Sequence, residues 1–190
     1  IILLDYMGEQ AFDLALYNMS TGQVTPIDQN IAHPMILGPL DLRTDLYNTQ
    51  LVDTTKDGKY LVYQVQRDGK TDLYVSDNTG ANHTLIASGT QWFQFAIAPD
   101  GKNLVYLQPA DKGPMGAVLN VVPLAGGTAT KLDDNVWSFR FTPGNNLVYF
   151  QISSPADGQY QSTLFQVNTA GSAKKSLADA ADGILTFISH

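Results

Sequence analysis

Leu61-Val62-Tyr63, Leu104-Val105-Tyr106 and Leu147-Val148-Tyr149 are one phrase used three times. Successive tyrosines stand about 43 residues apart, a period that belongs to propeller blades of four strands each. Each copy follows a turn: Lys56-Asp57-Gly58-Lys59, Pro99-Asp100-Gly101-Lys102 and Pro143-Gly144-Asn145-Asn146. Each precedes a second apolar run: Leu73-Tyr74-Val75, Leu119-Asn120-Val121 and Leu164-Phe165-Gln166-Val167. The reading is an all-β fold, a β-propeller of about four four-stranded blades.

Outward from the phrase, the strands fall into order. First strands are expected at Asn48–Thr54, Trp92–Ala98 and Val136–Thr142, where apolar residues alternate with period two. Phe93, Phe95 and Ile97 share one face, and Trp137, Phe139 and Phe141 the matching face one repeat later. Fourth strands are expected at Asn82–Ala87, Thr128–Leu132 and Ala173–Leu177. Asp68-Gly69 reads as a tight hairpin turn with positive φ. The N-terminal stretch supplies only second, third and fourth strands, at Ile1–Met7, Phe12–Asn18 and Gln23–Ile27. Ile184–Ser189 reads as a first strand without the rest, so the C-terminus is expected to complete the N-terminal blade and leave no free edge. The chain is thus a single propeller domain or propeller fragment over 1–190. It divides into strands 1–27, a long connection 28–47, blades 48–88, 89–132 and 133–178, and a closing strand 184–189.

Composition narrows the function classes. The 190 residues carry a net charge of −7, and the eleven basic residues are scattered, which excludes the basic footprint that nucleic-acid binding needs. Seventeen of the 18 acidic residues are Asp, the turn-forming carboxylate, and only Glu9 is Glu. No apolar run approaches the roughly 18 residues of a membrane helix, so no membrane insertion is expected. Without cysteine there is neither disulfide nor thiol chemistry. No Gly-x-Ser-x-Gly elbow and no glycine-rich phosphate loop occur. His33, His83 and His190 have no paired metal spacing. The reading is therefore non-catalytic, with no cofactor and no metal, although seventeen Asp leave a carboxylate pair for glycoside chemistry open.

Ala98-Pro99-Asp100-Gly101-Lys102-Asn103-Leu104-Val105-Tyr106 resembles the WD40-like (PD40-type) repeat of TolB-type β-propellers, and Arg67-Asp68-Gly69 followed by Asp72-Leu73-Tyr74-Val75 matches the same pattern. The third copy departs from it at Thr142-Pro143-Gly144-Asn145, which lacks the Asp. The resemblance implies a propeller that binds protein and a periplasmic or extracellular location. Such repeats also sit beside peptidase domains.

Strands alternate direction, so first-to-second and third-to-fourth turns share one face, where they are short and uniform. The other face carries the long, variable connections Asp28–Tyr47, Gln108–Gly116 and Ser153–Gln159, and binding is usually built on such loops. The candidate partner face comprises His33, Arg43, Trp92, Asp111, Lys112, Trp137, Arg140, Asp157 and Tyr160. Trp92 and Trp137 serve either inter-blade packing or ligand stacking. Arg140 meets either an anion or a structural Asp such as Asp53, and Asp133-Asp134 is either a solvated turn or a cation site. Two functions follow: a module binding a protein or peptide, or the propeller of a hydrolase that gates a peptidase or acts on a glycan. A monomer and an edge-paired dimer both remain open.

Overall fold

The computed structural model describes residues 2–6, 11–32, 52–89, 93–109, 116–142, 144–153 and 161–178, and every regular element among them is a β-strand. β1 (Ile2–Tyr6), β2 (Ala11–Tyr17) and β3 (Val24–Ala32) form one antiparallel sheet. β4 (Val52–Thr54), β5 (Tyr60–Arg67), β6 (Lys70–Asp77) and β7 (His83–Gly89) form a second. The third holds β8 (Gln94–Ile97), β9 (Asn103–Pro109), β10 (Ala117–Pro123), β11 (Thr130–Phe141), β12 (Asn146–Ser153), β13 (Gln161–Asn168) and β14 (Lys175–Ala178) in sequence order. The strands resolve into four successive meanders: β1–β3, β4–β7, β8 to the first half of β11, and the second half of β11 to β14.

Two boundaries differ from the sequence reading. Thr128–Leu132 and Val136–Thr142 are not separate strands. They merge into β11, whose first half pairs with β10 and whose second half pairs with β12, so the stretches 89–132 and 133–178 share one seven-stranded sheet. The chain bends there without breaking the ladder, because Asn135 takes φ 56° and irregularities on both edges absorb the change of direction. The third strand, expected at Gln23–Ile27, runs on to Ala32 and takes in the start of the supposed connection 28–47. The first strand expected at Asn48–Thr54 is described only as β4. The rest of the connection and the closing strand 184–189 lie outside the described residues. The Asp68-Gly69 hairpin is as expected, with Arg67 paired to Lys70 and both turn residues at positive φ.

The Leu-Val-Tyr phrase explains how the units stack. In a strand, alternate side chains point to opposite faces. Leu61 and Tyr63 pack with Leu14 and Ile27 of the preceding unit, whereas Val62 packs with Phe93, Leu104 and Tyr106 of the following one. The next copy repeats the rule: Leu104 and Tyr106 face back to Val62 and Leu73, and Val105 faces forward to Leu147 and Tyr149. Each fully buried Leu or Val contributes roughly 1.5–3 kcal/mol.

The outermost strands carry a second repeat. Opposite Leu14, Leu73, Leu119 and Leu164 stand Asp28, Ala87, Asp133 and Ala178, each preceded by a bulged apolar residue: Ile27, Ile86, Leu132 or Leu177. Where this position is Asp, it latches the next unit. Tyr63 Oη donates to Asp28 Oδ2 (3.2 Å), and Arg67 pairs with Asp28 Oδ1 (2.5 Å). His83 Nδ1 lies 2.6 Å from the same phenol, and its Nε2 lies 2.7 Å from Gly80 O. Tyr149 Oη likewise donates to Asp133 Oδ2 (2.6 Å), as does Lys174 Nζ (2.6 Å), while Gln151 Nε2 donates to Oδ1 of the same carboxylate (3.0 Å). Each phenol stacks on a ring of its neighbouring strand, Tyr63 on Tyr74 at 5.6 Å and Tyr149 on Phe165 at 5.7 Å. Burial, with the adjacent carboxylate second, pushes both phenols far above their ordinary value, so they stay protonated donors. At Asp133 burial opposes ionisation, but hydrogen bonds from Lys174 and Tyr149 outweigh it and hold the carboxyl below the usual range. The seam between the second and third units has Ala87 instead. There the buried Gln64 amide clasps the Phe93 backbone, donating to Phe93 O (3.1 Å) and accepting from Phe93 N (2.8 Å).

Two outcomes follow. Gly80 has φ +70°, and a Cβ there would stand 2.7 Å from Pro26 O, whereas Gly58 at φ +68° has open space. Gly80→Ala should therefore lower stability to urea by roughly 1–3 kcal/mol more than Gly58→Ala does. Because the folded carboxyl of Asp133 is depressed, its contribution is present above the unfolded value near ~4 and is lost as pH falls through the folded one. Asp133→Asn should cost about 1–3 kcal/mol at pH 7, and urea titrations should show the gap to wild type closing below about pH 4.

Candidate functional site

The long-connection face is reached at the bend of β11. Val136 pairs with Ala117 at the start of β10 and with Gln151 near the end of β12. The bend thus lies at the same end of the sheet as the start of β10 and the end of β12. Trp137 falls in the irregularity between Val136 and Ser138 and is 61% exposed, while Val136 and Phe139 on either side are buried at 1% and 2%. The sequence placed Trp137 on one face with Phe139 and Phe141. The inserted residue breaks that alternation: Val136 and Phe139 both enter the core, and Trp137 is expelled. Of its two readings, inter-unit packing is the one the structure overturns.

The bend is held from three sides. A Cβ on Gly116 would lie 2.5 Å from Asn135 Cα, so only glycine lets β10 start so close to the left-handed residue. Gln151 Nε2 donates to Asp134 O as well as to Asp133 Oδ1, both at 3.0 Å. Asp134 pairs with Lys131 at 2.8 Å, and Asp133 with Lys174. Asp133 is thus a half-buried seam group, whereas Asp134 stays exposed beside Lys131, and no metal-ligating cluster occurs among the described residues. Arg140, three residues beyond Trp137, is exposed and forms no ion pair among the described residues. The structural pairing with Asp53 is absent, and Arg140 sits opposite Val148, towards the turn at 142–146.

His33, Arg43, Trp92, Asp111, Lys112, Asp157 and Tyr160 lie outside the described residues. The structure places Trp137 and Arg140 together on one strand. The residues that sequence reasoning missed are the seam groups Asp28, Arg67, His83, Asp133 and Lys174. One signal was available: His83 and Lys174 each follow a turn glycine, Gly80 or Gly171, by three residues.

The opposite face holds a cleft of about 480 Å³ between two turns, lined by Asp53–Asp57 and Ile97–Gly101. Its carboxylates serve the turns themselves. Asp57 accepts from Thr55 Oγ1 (2.7 Å) and from the Lys59 amide, bonds that hold it down at about 2, and Asp100 accepts from the Lys102 amide (3.0 Å). His83, the imidazole among the described residues, has both nitrogens engaged and activates no nucleophile. Among the described residues the geometry offers contact surface and no assembled reaction centre.

No protein-family model matches this chain, and no curated protein does. Solved structures do. The β-propeller domain of the Trilobed protease from Pyrococcus furiosus aligns with a TM-score of 0.62 and 8% identity over 94% of this chain and 53% of that one. Dipeptidyl peptidase 4 of Porphyromonas gingivalis aligns at 0.56 with 10% identity, over 94% of this chain and 30% of that one. TolB from Acinetobacter baumannii aligns at 0.52 with 14% identity, over 94% and 40%. The chain spans about half the length of the first of these and less of the others. The repeat at Ala98–Tyr106, the stacked meanders and these neighbours agree, and the chain has the fold of a TolB-like β-propeller.

Proposed function

We propose that this chain is a non-catalytic propeller module, acting as one domain over 1–190, that binds a protein or peptide on its long-connection face. The observation that carries this is Trp137, 61% exposed at a bend built rigidly by Gly116, Asn135 and Gln151 and flanked by the start of β10 and the end of β12. An exposed Trp held by a stiff backbone is the commonest kind of interface anchor, giving large contact area at little entropic cost. Arg140, further along the same strand, is exposed and forms no ion pair among the described residues. His33, Arg43, Trp92, Asp111, Lys112, Asp157 and Tyr160 belong to the same proposed face. A periplasmic or extracellular location is part of this reading, through the fold shared with TolB.

The second reading is the propeller of a hydrolase, gating a peptidase or acting on a glycan, and the peptidase neighbours favour it. It predicts turnover by the purified chain, or a hydrolase domain in the same polypeptide. The binding reading predicts no turnover on panels of peptides and glycosides.

Peptides selected from a displayed library against the chain provide the direct test. Trp137→Ala should weaken them by about tenfold or more, and Asp100→Asn on the opposite face should leave them unchanged. Binding that survives Trp137→Ala and disappears in Asp100→Asn would place the partner on the wrong face and defeat the proposal.

A further inference from the structure

The seam between the second and third units keeps the donors of a carboxylate latch without its carboxylate. In the following seam Asp133 accepts from Tyr149 Oη and Gln151 Nε2, two residues apart on β12. The same pair recurs on β9 as Tyr106 and Gln108, and the outer strand that faces them carries Ala87 at the register position of Asp133. Ala87 and Tyr106 belong to one buried cluster, and Tyr106 is 2% exposed. Neither its phenol nor the Gln108 amide has a hydrogen-bond partner among the described residues. Burial alone pushes this phenol up, whereas at Tyr63 and Tyr149 the neighbouring Asp adds to the effect.

A second hydroxyl on the same seam is unmatched. Thr71 pairs with Gly89 and Leu73 with Ala87, with no bulge between the pairs, so Thr71 and Leu73 share the face turned to the third unit. Thr71 is fully buried, and its Oγ1 has no partner among the described residues. The corresponding positions, two before Leu14 and Leu119, carry Phe12 and Ala117. The side chains around the Tyr106 phenol are also smaller than at its sister seams. Ala87 stands for Asp, and Asn120 pairs with Tyr106 where Tyr74 and Phe165 stack on Tyr63 and Tyr149. The Asn120 amide turns away to Val118 O (3.1 Å). A buried hydroxyl without an acceptor is destabilising, and this seam holds two, with the Gln108 amide beside them.

We propose that this seam binds a carboxylate group, which lies beside Ala87 and accepts from Tyr106 Oη, Gln108 Nε2 and Thr71 Oγ1. The class of ligand follows from the repeat: the two phenols that are partnered at this position, Tyr63 and Tyr149, both donate to a carboxylate oxygen. Here the donors are neutral, with no counterpart of Arg67 or Lys174 among them, so the group is held by hydrogen bonds alone and exchanges readily. Thr71 stands two residues from the Asp68-Gly69 hairpin, which sets the site at the long-connection end of the seam. A small free acid and the acidic side chain of a partner bring the same chemistry. The site shares no residue with the bend at Trp137.

Urea unfolding of the purified chain at about pH 7.5 in sodium acetate, against sodium chloride of equal ionic strength, tests this. A site with a dissociation constant of about 10 mM should raise the folding equilibrium constant about tenfold in about 100 mM acetate. Tyr106→Phe, which keeps the ring and removes the donor, should lose that gain. So should Ala87→Asp, which supplies the carboxylate from the chain itself. Trp137→Ala should keep the gain, so that failure of this site and failure of the peptide-binding face are read separately. N-acetylaspartate amide in place of acetate separates the sources: a gain at lower concentration identifies the acidic side chain of a partner, and a gain with acetate alone a small free acid. No gain over chloride, or a gain that either Tyr106→Phe or Ala87→Asp retains, overturns the proposal.

Discussion

The structure depends on the two-sidedness of a strand whose successive side chains serve different cores. In Leu61-Val62-Tyr63 the outer two residues close the seam behind and the middle one the seam ahead. No unit completes its own core. The second and third units each contribute half of two seams, so folding energy resides between units, and either of them removed from the array would expose both of its faces. That requirement acts on every copy alike, which is why the phrase survives while the residues around it drift. It also explains the mixture of a large aromatic, a Leu and a Val: the backward face is filled by bulk, the forward face by a β-branched residue that fits beneath it.

Bulk alone would let such faces slide. Buried phenols give two of the seams a register, because a Tyr hydroxyl taken out of water must find a partner. At two seams the partner is an Asp in the outer strand of the preceding unit, itself compensated by Arg67 at one seam and by Lys174 at the other. At the seam between them the position is Ala87, and the polar link moves to Gln64, whose amide forms a pair of bonds with the Phe93 backbone much as a strand would. The three seams thus solve one problem with two chemistries. At the Asp133 seam the carboxylate makes stability depend on pH, and the Gln64 amide does not.

How much of this the sequence shows follows from what repeats. The phrase, the Asp-Gly turns and the paired apolar runs recur, and from them the all-β class, the strand order and the Asp68-Gly69 hairpin are readable. The continuity of β11 is not, because Asp133-Asp134-Asn135 looks like a turn. It becomes a bend within a strand only when Gly116 approaches Asn135 and Gln151 takes the backbone oxygen of Asp134. The same bend hides Trp137: period-two counting assumes an uninterrupted ladder, and one inserted residue sends every later side chain to the other face. The latches are illegible for a different reason. Asp28 and Asp133 lie within outer strands, where an Asp reads as solvent-facing, and only the register opposite Leu14 and Leu119 reveals that they face a phenol of the next unit.

The bend that defeats the pattern is also where the scaffold has freedom to specialise. Elsewhere many side chains are claimed by a seam or by a turn: Tyr149 by Asp133, Asp57 by Thr55, Gly80 by Pro26. At Asn135–Trp137 the backbone is fixed as firmly as anywhere, by a glycine contact, a left-handed residue and a bifurcated amide, yet the indole it carries has no seam to fill. A rigid backbone under an unclaimed aromatic has already lost the conformational entropy that a partner would otherwise have to remove, so contact area there converts to affinity with little offset. Repetition builds the scaffold, and the irregularity between Val136 and Ser138 leaves a large side chain outside its seams.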